Sequence, residues 1–286
     1  MKNILQIDVE DWFCDLDPNE WAKCEPRVVK STEKILELLN KTNNKATFFV
    51  LGYVAEKFPE LVKKISKEGH EVGTHGYAHR RIDEQSPEEF KKDLLKSIKI
   101  IEKITHKKVK GYRAPQFTVG KNTLWALDII KGAGLEYDSS VFPVKTPLYG
   151  IEDSPLYPHE RKTIKNENLL EIPLSIYEVP LIKKKIPIAG GFYLRALPYL
   201  IIKHAVKKIN KSENVAVMYI HPCDIDKGKP KVAKKNLFKY YSMDSSDKSL
   251  KWFHYYGLKN AENKFERLLN DFKFTSTEDW IKNERR

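Results

Sequence analysis

The sequence predicts an α/β protein whose strands form a parallel sheet or a barrel. Short apolar or β-branched runs alternate with amphipathic helical segments through the first half of the chain. Polar clusters follow the predicted strands at their carboxyl ends, where parallel α/β folds place their active sites. With 286 residues, of which 41% are hydrophobic, the chain has enough apolar content for a sizeable core, and global disorder is excluded. No internal repeat or low-complexity linker divides it, so we predict one domain over residues 1–286.

The first third of the chain contains three predicted strands and two predicted helices. Residues 4–9 are an apolar run that ends abruptly in two acids, residues 45–51 are β-branched and aromatic, and residues 71–74 lead into a pair of histidines. Apolar residues at helical spacing predict helices over 28–39 and 59–67, the second with a proline in its first turn and a glycine after its end.

A long helix follows, opened by Ser86 as N-cap with Glu89 three residues later, the pattern of a capping box. Beyond it the alternation continues into a middle segment, 142–191, that is richer in proline and short strands, and then into a basic loop over 226–235. The remaining predictions are strands at 109–113, 135–138, 170–174 and 215–220, helices at 122–131, 197–209 and 259–269, and a closing strand and helix, with residues 226–286 packing on the barrel.

The net charge is +12, from 51 basic and 39 acidic residues. This excess suggests an anionic partner such as nucleic acid, phospholipid or an acidic glycan, and the alternative is a lysine-rich solvated surface. The chain carries no nucleic-acid-binding motif, and its lysines are spread over helix faces rather than interleaved with aromatic residues. We therefore expect no nucleic-acid partner.

Cys14, Cys24 and Cys223 are an odd number without a CxxC pair, which favours a reducing compartment over a disulfide scaffold. The amino terminus turns acidic after a few apolar residues and lacks the apolar core of a signal peptide. No run of about 18 apolar residues predicts a transmembrane segment. We expect a cytoplasmic protein, and leave peripheral membrane contact and the oligomeric state open.

Three acids, Asp8, Glu10 and Asp11, follow the first predicted strand. Carboxylates so close together repel one another unless a cation or a proton separates them. Strand alternation puts Asp8 and Glu10 on one face, whereas Asp11 falls where the strand breaks. The alternative interpretation is a strand-to-loop transition with acidic helix caps.

Five further residues complete the set of candidate site residues. His75 and His79 are four residues apart, so on a helical turn both imidazoles would reach one divalent ion. Arg113 ends a strand and can orient a carboxylate, His221 ends another and can act as a general acid, and Asp138 can orient Arg113 or a histidine. A surface position or ordinary core packing is the alternative for each of them alone.

Taken in chain order, these clusters resemble the five motifs of the polysaccharide deacetylases of the NodB-homology type, carbohydrate esterase family four. The histidine motif of that family has a small hydroxyl residue where this chain has Gly76. The matching segments are 8–11 for the acidic motif, 75–79 for the histidine motif, 113–115 (Arg-Ala-Pro), Asp138 for the aspartate motif and 219–221 for the final motif.

Segments 47–52 and 69–73 also look like the family's connecting segments, so the resemblance covers about residues 3–225. A subgroup with Asp-Val-Glu-Asp-Trp at the start, Gly-Gly-Phe-Tyr as at 190–193 and His-Pro near the end is a closer match, and its members are commonly associated with exopolysaccharide or surface-glycan loci. The resemblance implies a distorted (β/α) barrel with fewer than eight strands and a metal at its carboxyl-end mouth.

The implied function is a metal-dependent hydrolase that removes N-acetyl groups from the amino sugars of a poly- or oligosaccharide, including lipid-linked or exopolysaccharide precursors. We assign Asp11, His75 and His79 as ligands of a divalent metal, with zinc favoured and cobalt, nickel or iron compatible. Asp8 is assigned as the base, and Glu10 is the rival of Asp8 and Asp11 for either role.

The resemblance also implies the remaining roles. Arg113 holds the base ionised, His221 gives a proton to the departing amine, and Asp138 tunes His221 or its neighbour. A backbone N–H at about Gln116 stabilises the oxyanion. Phe192 and Tyr193, with segment 142–191, line the sugar groove, for which ordinary core packing is the alternative.

Two rival functions use the same fold. An allantoinase-like hydrolase would act on a non-peptide C–N bond, but such relatives often lack the metal ligands, and the intact His75 and His79 speak against it. A catalytically inactive glycan-binding barrel is the second rival, and the retention of all five clusters disfavours it.

Overall fold

A computed structural model of the protein describes residues 1–146, 149–179, 183–228 and 256–284. The strands of these residues form a sheet of nine and a separate hairpin of two. In chain order they are β1 (Asn3–Val9), β2 (Thr47–Val50), β3 (Glu71–Thr74), β4 (Gly111–Tyr112), β5 (Tyr137–Asp138), β6 (His159–Lys162), β7 (Asn168–Glu171), β8 (Ile176–Val179), β9 (Lys184–Pro187), β10 (Val217–Ile220) and β11 (Phe274–Thr275).

Helices connect most of the parallel strands and surround the sheet, as crossover connections require. They are α1 (Val28–Thr42), α2 (Gly52–Lys57), α3 (Pro59–Lys67), α4 (Pro87–Thr105), α5 (Trp125–Gly132), α6 (Gly191–Ala196), α7 (Tyr199–Lys211), α8 (Leu258–Asp271) and α9 (Thr277–Glu284).

Seven parallel strands follow one another in the order β10-β1-β2-β3-β4-β5-β7, and β6 extends the sheet antiparallel to β7. The sheet curls back on itself beyond β7, because Ser175 donates its N–H to the carbonyl of Val217 in β10 at 3.0 Å. The side-chain oxygen of Ser175 accepts the N–H of Val217 at 2.7 Å. The predicted distorted (β/α) barrel is confirmed, and seven parallel strands form its wall in the described residues.

Strand β1 lies between β10 and β2 in this wall, and all of its residues are buried. Leu5, Ile7 and Val9 belong to the hydrophobic core, as expected for a parallel strand covered on both faces. The alternate residues Gln6 and Asp8 contact Arg113 from β4 across the barrel. One face of β1 thus supplies the core and the other supplies polar groups to the barrel interior.

The observed elements differ from the predicted ones mainly where they are short. The six-residue helices α2 and α6 and the hairpin β8–β9 were not expected, because fewer than two helical turns or four strand residues carry little periodic signal. The helix predicted over 122–131 begins at Trp125, after a 3-10 turn over Lys121–Thr123.

The carboxyl-terminal residues pack on the barrel through β11, which pairs with β1, and through α8, which contacts α1 and α6. Thr277 at the start of α9 donates its N–H to Thr47 Oγ1 of β2 at 2.8 Å. Of the basic loop expected over 226–235, residues 229–235 lie outside the described residues.

The three cysteines are free thiols, as their number and spacing predict. Among the described helices, none has the length and apolar character needed to cross a lipid bilayer.

Candidate metal centre and active site

Strand β1 delivers polar side chains to the carboxyl-end mouth of the barrel. Gln6, Asp8 and Glu10 occupy alternate positions, so they lie on one face and form a ladder from the interior to the mouth. Gln6 and Asp8 are almost completely buried, and the side chain of Glu10 is 12% exposed. The carboxyl ends of strands β10, β3 and β4 bring further residues to this ladder.

Arg113, which follows β4, is completely buried against Asp8. Its Nη1 donates to Asp8 Oδ2 at 3.3 Å, and its Nη2 donates to Ser139 Oγ at 3.0 Å and to the side-chain oxygen of Gln6. The other carboxylate oxygen of Asp8, Oδ1, is buried and has no hydrogen-bond partner among the described residues. Asp8 is therefore held by one oxygen and has the other free to accept a proton.

Glu10 lies between three histidine side chains. Its Oε2 is 2.7 Å from Nε2 of His79 and 3.3 Å from Nε2 of His75, and its Oε1 is 3.6 Å from Nε2 of His221. Ligand atoms of Glu10, His75 and His79 all lie within 4.8 Å of one another. This trio is the group of side chains best placed to share a metal ion.

In both His75 and His79 the outer ring nitrogen, Nδ1, lies next to an oxygen atom of the protein. His75 Nδ1 donates to the carbonyl of Arg113 at 2.8 Å, and since a carbonyl only accepts, Nε2 is the atom of His75 left to bind a ligand. His79 Nδ1 lies 3.3 Å from the carboxylate of Asp15. A second group on the outer nitrogen of a metal-binding histidine orients the ring and fixes its tautomer.

The loop that carries the two histidines is not the helical turn that the spacing predicts. Gly76 and His79 have left-handed φ values of +74° and +52°, and the rings nevertheless approach to 5.3 Å between centroids. Asp93 of α4 holds the loop by accepting two consecutive backbone N–H groups at 2.7 and 3.3 Å. A Cβ at Gly76 would lie 3.0 Å from that carboxylate, which explains glycine where the family resemblance expects a hydroxyl residue.

Charge attraction dominates the acid–base state of Glu10 and His79 in the protein alone. Burial would raise the pKa of Glu10, but the positive charge of His79 and the hydrogen bonds from His75 and His79 hold it well below its usual value. Burial would lower the pKa of His79, but the carboxylates of Glu10 and Asp15 raise it well above its usual value. Glu10 and His79 therefore form an ion pair in the protein alone.

His221 is oriented by a carboxylate that the sequence analysis did not identify. Oδ2 of Asp224 accepts both the backbone N–H and Nδ1–H of His221 at 2.9 Å, and Oδ1 accepts Nε–H of the buried Arg195 at 3.0 Å. Burial would lower the pKa of His221, but the hydrogen bond to Asp224 and the charge of Glu10 raise it to about 9. An acid three residues after His221, with Pro222 between them, is a turn signal that makes Asp224 recognisable, whereas Arg195 carries no such signal.

Asp11 does not take the ligand position expected of it. Its carboxylate accepts the backbone N–H groups of Trp12 at 3.0 Å, Arg27 at 2.8 Å and Val28 at 3.0 Å, so it caps the start of α1. Burial raises the pKa of Asp11 to about 6 against these hydrogen bonds. The chain turns away from the mouth after Glu10, which explains the difference.

Asp138 does not contact His221 within the described residues. It ends β5 as expected, but its carboxylate accepts Ser140 Oγ–H at 2.5 Å and Ser140 N–H at 3.2 Å. Burial raises its pKa. The contact that we expected Asp138 to make with Arg113 is made by the next residue, Ser139.

Gln116 is tied to the histidines through its side chain. Its Nε2 donates to Asp15 at 2.8 Å, and its Oε1 accepts Nη1–H of Arg81 at 2.7 Å. Gln116 and Phe117 have left-handed φ values of +51° and +54°. Such conformations cost energy in residues with a side chain and are concentrated at functional sites. The role of the Gln116 N–H stays a prediction.

Phe192 and Tyr193 lie in the first turn of α6, next to the active site. The preceding residue, Gly191, approaches the Asp224 carboxylate so closely that a Cβ there would lie 1.5 Å from Oδ2. The sugar-binding role of these two aromatic residues stays a prediction.

The donor set of Glu10, His75 and His79 fits a divalent transition metal. Two imidazole nitrogens and one carboxylate oxygen suit zinc, cobalt, nickel or iron, and three protein ligands leave positions for water and substrate.

Comparisons with known proteins match the two halves of the chain separately. A family model described as polysaccharide deacetylase matches residues 23–137, and one described as a domain of unknown function (DUF3473) matches residues 139–282. Strands from both segments belong to the same sheet.

Curated relatives are similar over part of their length. A peptidoglycan-N-acetylglucosamine deacetylase of Bacillus cereus is 33% identical over 120 residues, which cover 38% of this chain and 44% of that protein. A peptidoglycan deacetylase of Helicobacter pylori is 29% identical over 197 residues, covering 67% of this chain and 61% of that protein. The chain thus spans about half the length of the curated relatives it matches. The structure of Puue allantoinase, 13% identical, has a TM-score of 0.60 with 96% of this chain and 87% of that chain covered, a likeness of fold.

Proposed function

Because the chain belongs to the polysaccharide deacetylase family of the NodB-homology type, we propose that it is a metal-dependent hydrolase that removes N-acetyl groups from the amino sugars of a poly- or oligosaccharide. The observation that carries this proposal is the convergence of an Asp–Arg pair, two histidines and a His–Asp pair around the carboxylate of Glu10. The names of the curated relatives, deacetylases of peptidoglycan, support an acetamido sugar as the substrate.

Glu10, His75 and His79 would hold the metal ion, and zinc is the ion that we favour. When bound, the ion would polarise the acetamide carbonyl and lower the pKa of a water molecule. Asp15 and the carbonyl of Arg113 keep both rings turned so that Nε2 faces Glu10.

Asp8 acts as the general base. Its Oδ2 is held by Arg113, and its free Oδ1 accepts the proton of the attacking water. Arg113 is itself positioned by Gln6 and Ser139. The N–H of Gln116 stabilises the negative charge that develops on the carbonyl oxygen.

His221 acts as the general acid. Its Nδ1–H donates to Asp224, so Nε2 faces Glu10 and the mouth, from where it gives a proton to the departing amine. Burial would raise the pKa of Asp224, but the hydrogen bond and charge of His221 and the charge of Arg195 lower it. Water is consumed, and acetate and a free amino sugar are formed. Phe192 and Tyr193 flank the sugar, since aromatic faces stack on pyranose rings.

The test is acetate release from a panel of N-acetylated glycans by the zinc-loaded protein, with matched variants. In His221→Ala, turnover of an N-acetyl sugar should fall by about 10²- to 10⁴-fold, while an activated acetyl ester is still cleaved because its leaving group needs no acid. In Asp8→Asn both substrates should be cleaved slowly, because the base is needed for both.

Metal content separates these roles from that of the metal centre. Both variants should bind zinc at the stoichiometry of the parent, measured by elemental analysis. Zinc-loaded parent protein that releases acetate from none of the glycans would contradict the proposed function, and unchanged turnover of the N-acetyl sugar by His221→Ala would contradict the role of His221.

A further inference from the structure

A cavity of about 290 Å³ opens beside Gln116, outside the groups assigned to catalysis. Arg81 and Phe117 lie in its wall. Arg81 donates to the side chain of Gln116, and the opposite side of Phe117 faces Arg113, whose guanidinium carbon is 5.0 Å from the ring centre. A single side chain therefore separates this cavity from the buried Asp8–Arg113 pair.

The cavity has a size and a wall that suit one sugar unit. Its volume of about 290 Å³ is just below the range of about 300–1,000 Å³ for small-molecule sites. Tyr149 lines it, half-buried, with its ring centroid 5.5 Å from that of Phe117. Because Gln116 and Phe117 are held in left-handed conformations, the position of this aromatic wall is defined by the backbone.

The charges around the cavity are not balanced. Arg81 is neutralised by a bidentate pair with Asp83, but Lys121 and Lys145, which also line it, form no ion pair within the described part of the chain. A neighbouring cavity of about 340 Å³ shares Lys145 with the first. Among the described residues that line the two cavities, the charges without an ion pair to another described residue are four lysines and two carboxylates: Lys121, Lys145, Lys183, Lys185, Glu152 and Asp153.

The two cavities together carry an excess of two positive charges, and the cavity with the aromatic wall, one side chain from the base, carries one of them. This excess favours an anionic ligand. We propose that this lysine-lined cavity binds an acidic substituent, a carboxylate or a phosphate, carried by the glycan at a sugar next to or near the one that loses its acetyl group. The inference rests on the proposed function and names the substrate class more narrowly: an acidic rather than a neutral N-acetylated glycan.

Three probes distinguish neutral, carboxylate and phosphate ligands, each with N-acetylglucosamine: chitotetraose, a hyaluronan tetrasaccharide and UDP-N-acetylglucosamine. Dissociation constants are measured by calorimetry on the full chain at two ionic strengths. The acidic probe that matches the cavity should bind more tightly than chitotetraose, and the difference should shrink as salt screens the lysines.

Variants that remove a positive charge, compared with a variant that removes a negative charge, separate charge recognition from damage to the structure. Lys121→Gln and Lys145→Gln should each weaken binding of the acidic probe by about two- to fivefold, and Glu152→Gln should tighten it by a similar factor. Lys207→Gln, an exposed position on α7, is the matched control and should change nothing. Binding of chitotetraose should be the same in all four.

Equal affinity for the neutral probe and both acidic probes would overturn the inference, as would a shift in the same direction for Lys145→Gln and Glu152→Gln. Acetate release is recorded on the same probes. Acidic binding with the expected charge pattern but without acetate release would leave the cavity assigned and contradict the proposed function. Acetate release without any preference for the acidic probes would support the proposed function and contradict the assignment of the cavity.

Discussion

At the scale of single residues, Glu10 and Asp11 show how one position along the chain changes the role of a carboxylate. Glu10 keeps the alternation of β1 and so faces the barrel mouth, where three histidines approach it. Asp11 follows the break in the strand and caps α1. Both residues carry a carboxylate, and they differ in the direction in which the backbone points it.

We expect Glu10→Gln to lose the metal and Asp11→Ala to keep it. The Gln side chain has the same shape without the charge, and loss of a charged ligand should lower activity by about 10²-fold or more. Asp11→Ala removes a helix cap and should lower the free energy of unfolding by about 0.5–2 kcal/mol. Elemental analysis and thermal unfolding measure the two effects.

The opposite pattern would restore Asp11 as the ligand. Full zinc content in Glu10→Gln together with zinc loss in a folded Asp11→Ala would contradict the geometry of the site. His75→Ala and His79→Ala serve as positive controls, since both should lose zinc while their circular dichroism stays that of the parent.

At the scale of secondary-structure elements, the start of α6 lies against the turn that follows β10. Gly190 has a φ of +112°, and a Cβ at Gly191 would overlap the carboxylate of Asp224. The Gly-Gly pair singled out in the sequence is thus explained by a close approach of the backbone to the group that orients His221.

Gly191→Ala should therefore reduce turnover by displacing Asp224, with zinc content unchanged. Loss of a group that orients a functional histidine commonly costs about 10- to 100-fold. Gly132→Ala is the matched control, because a Cβ there meets no atom within 4 Å. Turnover in Gly191→Ala equal to that of the control would show that Asp224 does not depend on this packing.

Glu71 of β3 joins elements at the opposite end of the barrel. It accepts Thr47 Oγ1–H at 2.6 Å, Tyr137 Oη–H at 2.8 Å and the backbone N–H of Glu278 in α9 at 2.9 Å. Burial raises its pKa from 4.5 to about 7 against these hydrogen bonds. The folded chain therefore holds a proton here that the unfolded chain releases at lower pH.

The sign of the pH dependence follows from this difference. The contribution of Glu71 to stability is complete below about pH 4.5 and is lost as the pH rises through 7, because the unfolded state then binds fewer protons than the folded state. Relative to Glu71→Gln, the parent should lose roughly 3 kcal/mol between pH 4.5 and pH 8. Urea unfolding of both proteins at the two pH values measures it, and parallel stabilities would contradict the raised pKa.

At the scale of the whole molecule, closure of the barrel depends on the seam between β7 and β10. Ser175 makes both hydrogen bonds across it with Val217, one through its backbone and one through its side chain. The group that closes the wall is thus a serine outside any strand, directly after the strand predicted at 170–174.

Ser175→Ala should lower the free energy of unfolding by about 1–3 kcal/mol, because the buried N–H of Val217 loses its acceptor. The measurement is urea unfolding, with the exposed Ser212→Ala as control, for which a change within about 0.5 kcal/mol is expected. Equal stabilities of the two variants would mean that the side-chain bond contributes little to the seam.

The structure also shows how the charges behind the net value of +12 are distributed over the whole molecule. The carboxylates of Asp8, Asp224, Asp138 and Glu171 are buried, while lysines such as Lys121 and Lys145 are exposed beside the mouth. An acidic, histidine-rich interior and a basic rim suit a metal ion inside and an anionic ligand outside.

Much of the fold followed from the sequence because the parallel strands are buried on both faces and their helices are amphipathic. The strand-end positions of Asp8, His75, His79, Arg113 and His221 were predicted from residue type and spacing, while their roles came from the family resemblance and stay predictions. Within the described part of the chain, Asp138 bonds to Ser140, two residues away, and not to His221. Arg195 was missed because its partner Asp224 is distant in sequence and only the folded chain brings the two together.

The sequence by itself determined the alternation of strands and helices, the carboxyl-end location of the polar clusters and the resemblance to a deacetylase family. These are local signals, carried by hydrophobic periodicity and by residue types at short spacing. Only the tertiary structure decided that Glu10 rather than Asp11 faces the histidines, that Asp224 orients His221, and that a lysine-lined cavity lies beside Gln116. Each of these depends on the direction of a side chain after a strand ends, and that direction is set by the packing of elements far apart in the chain.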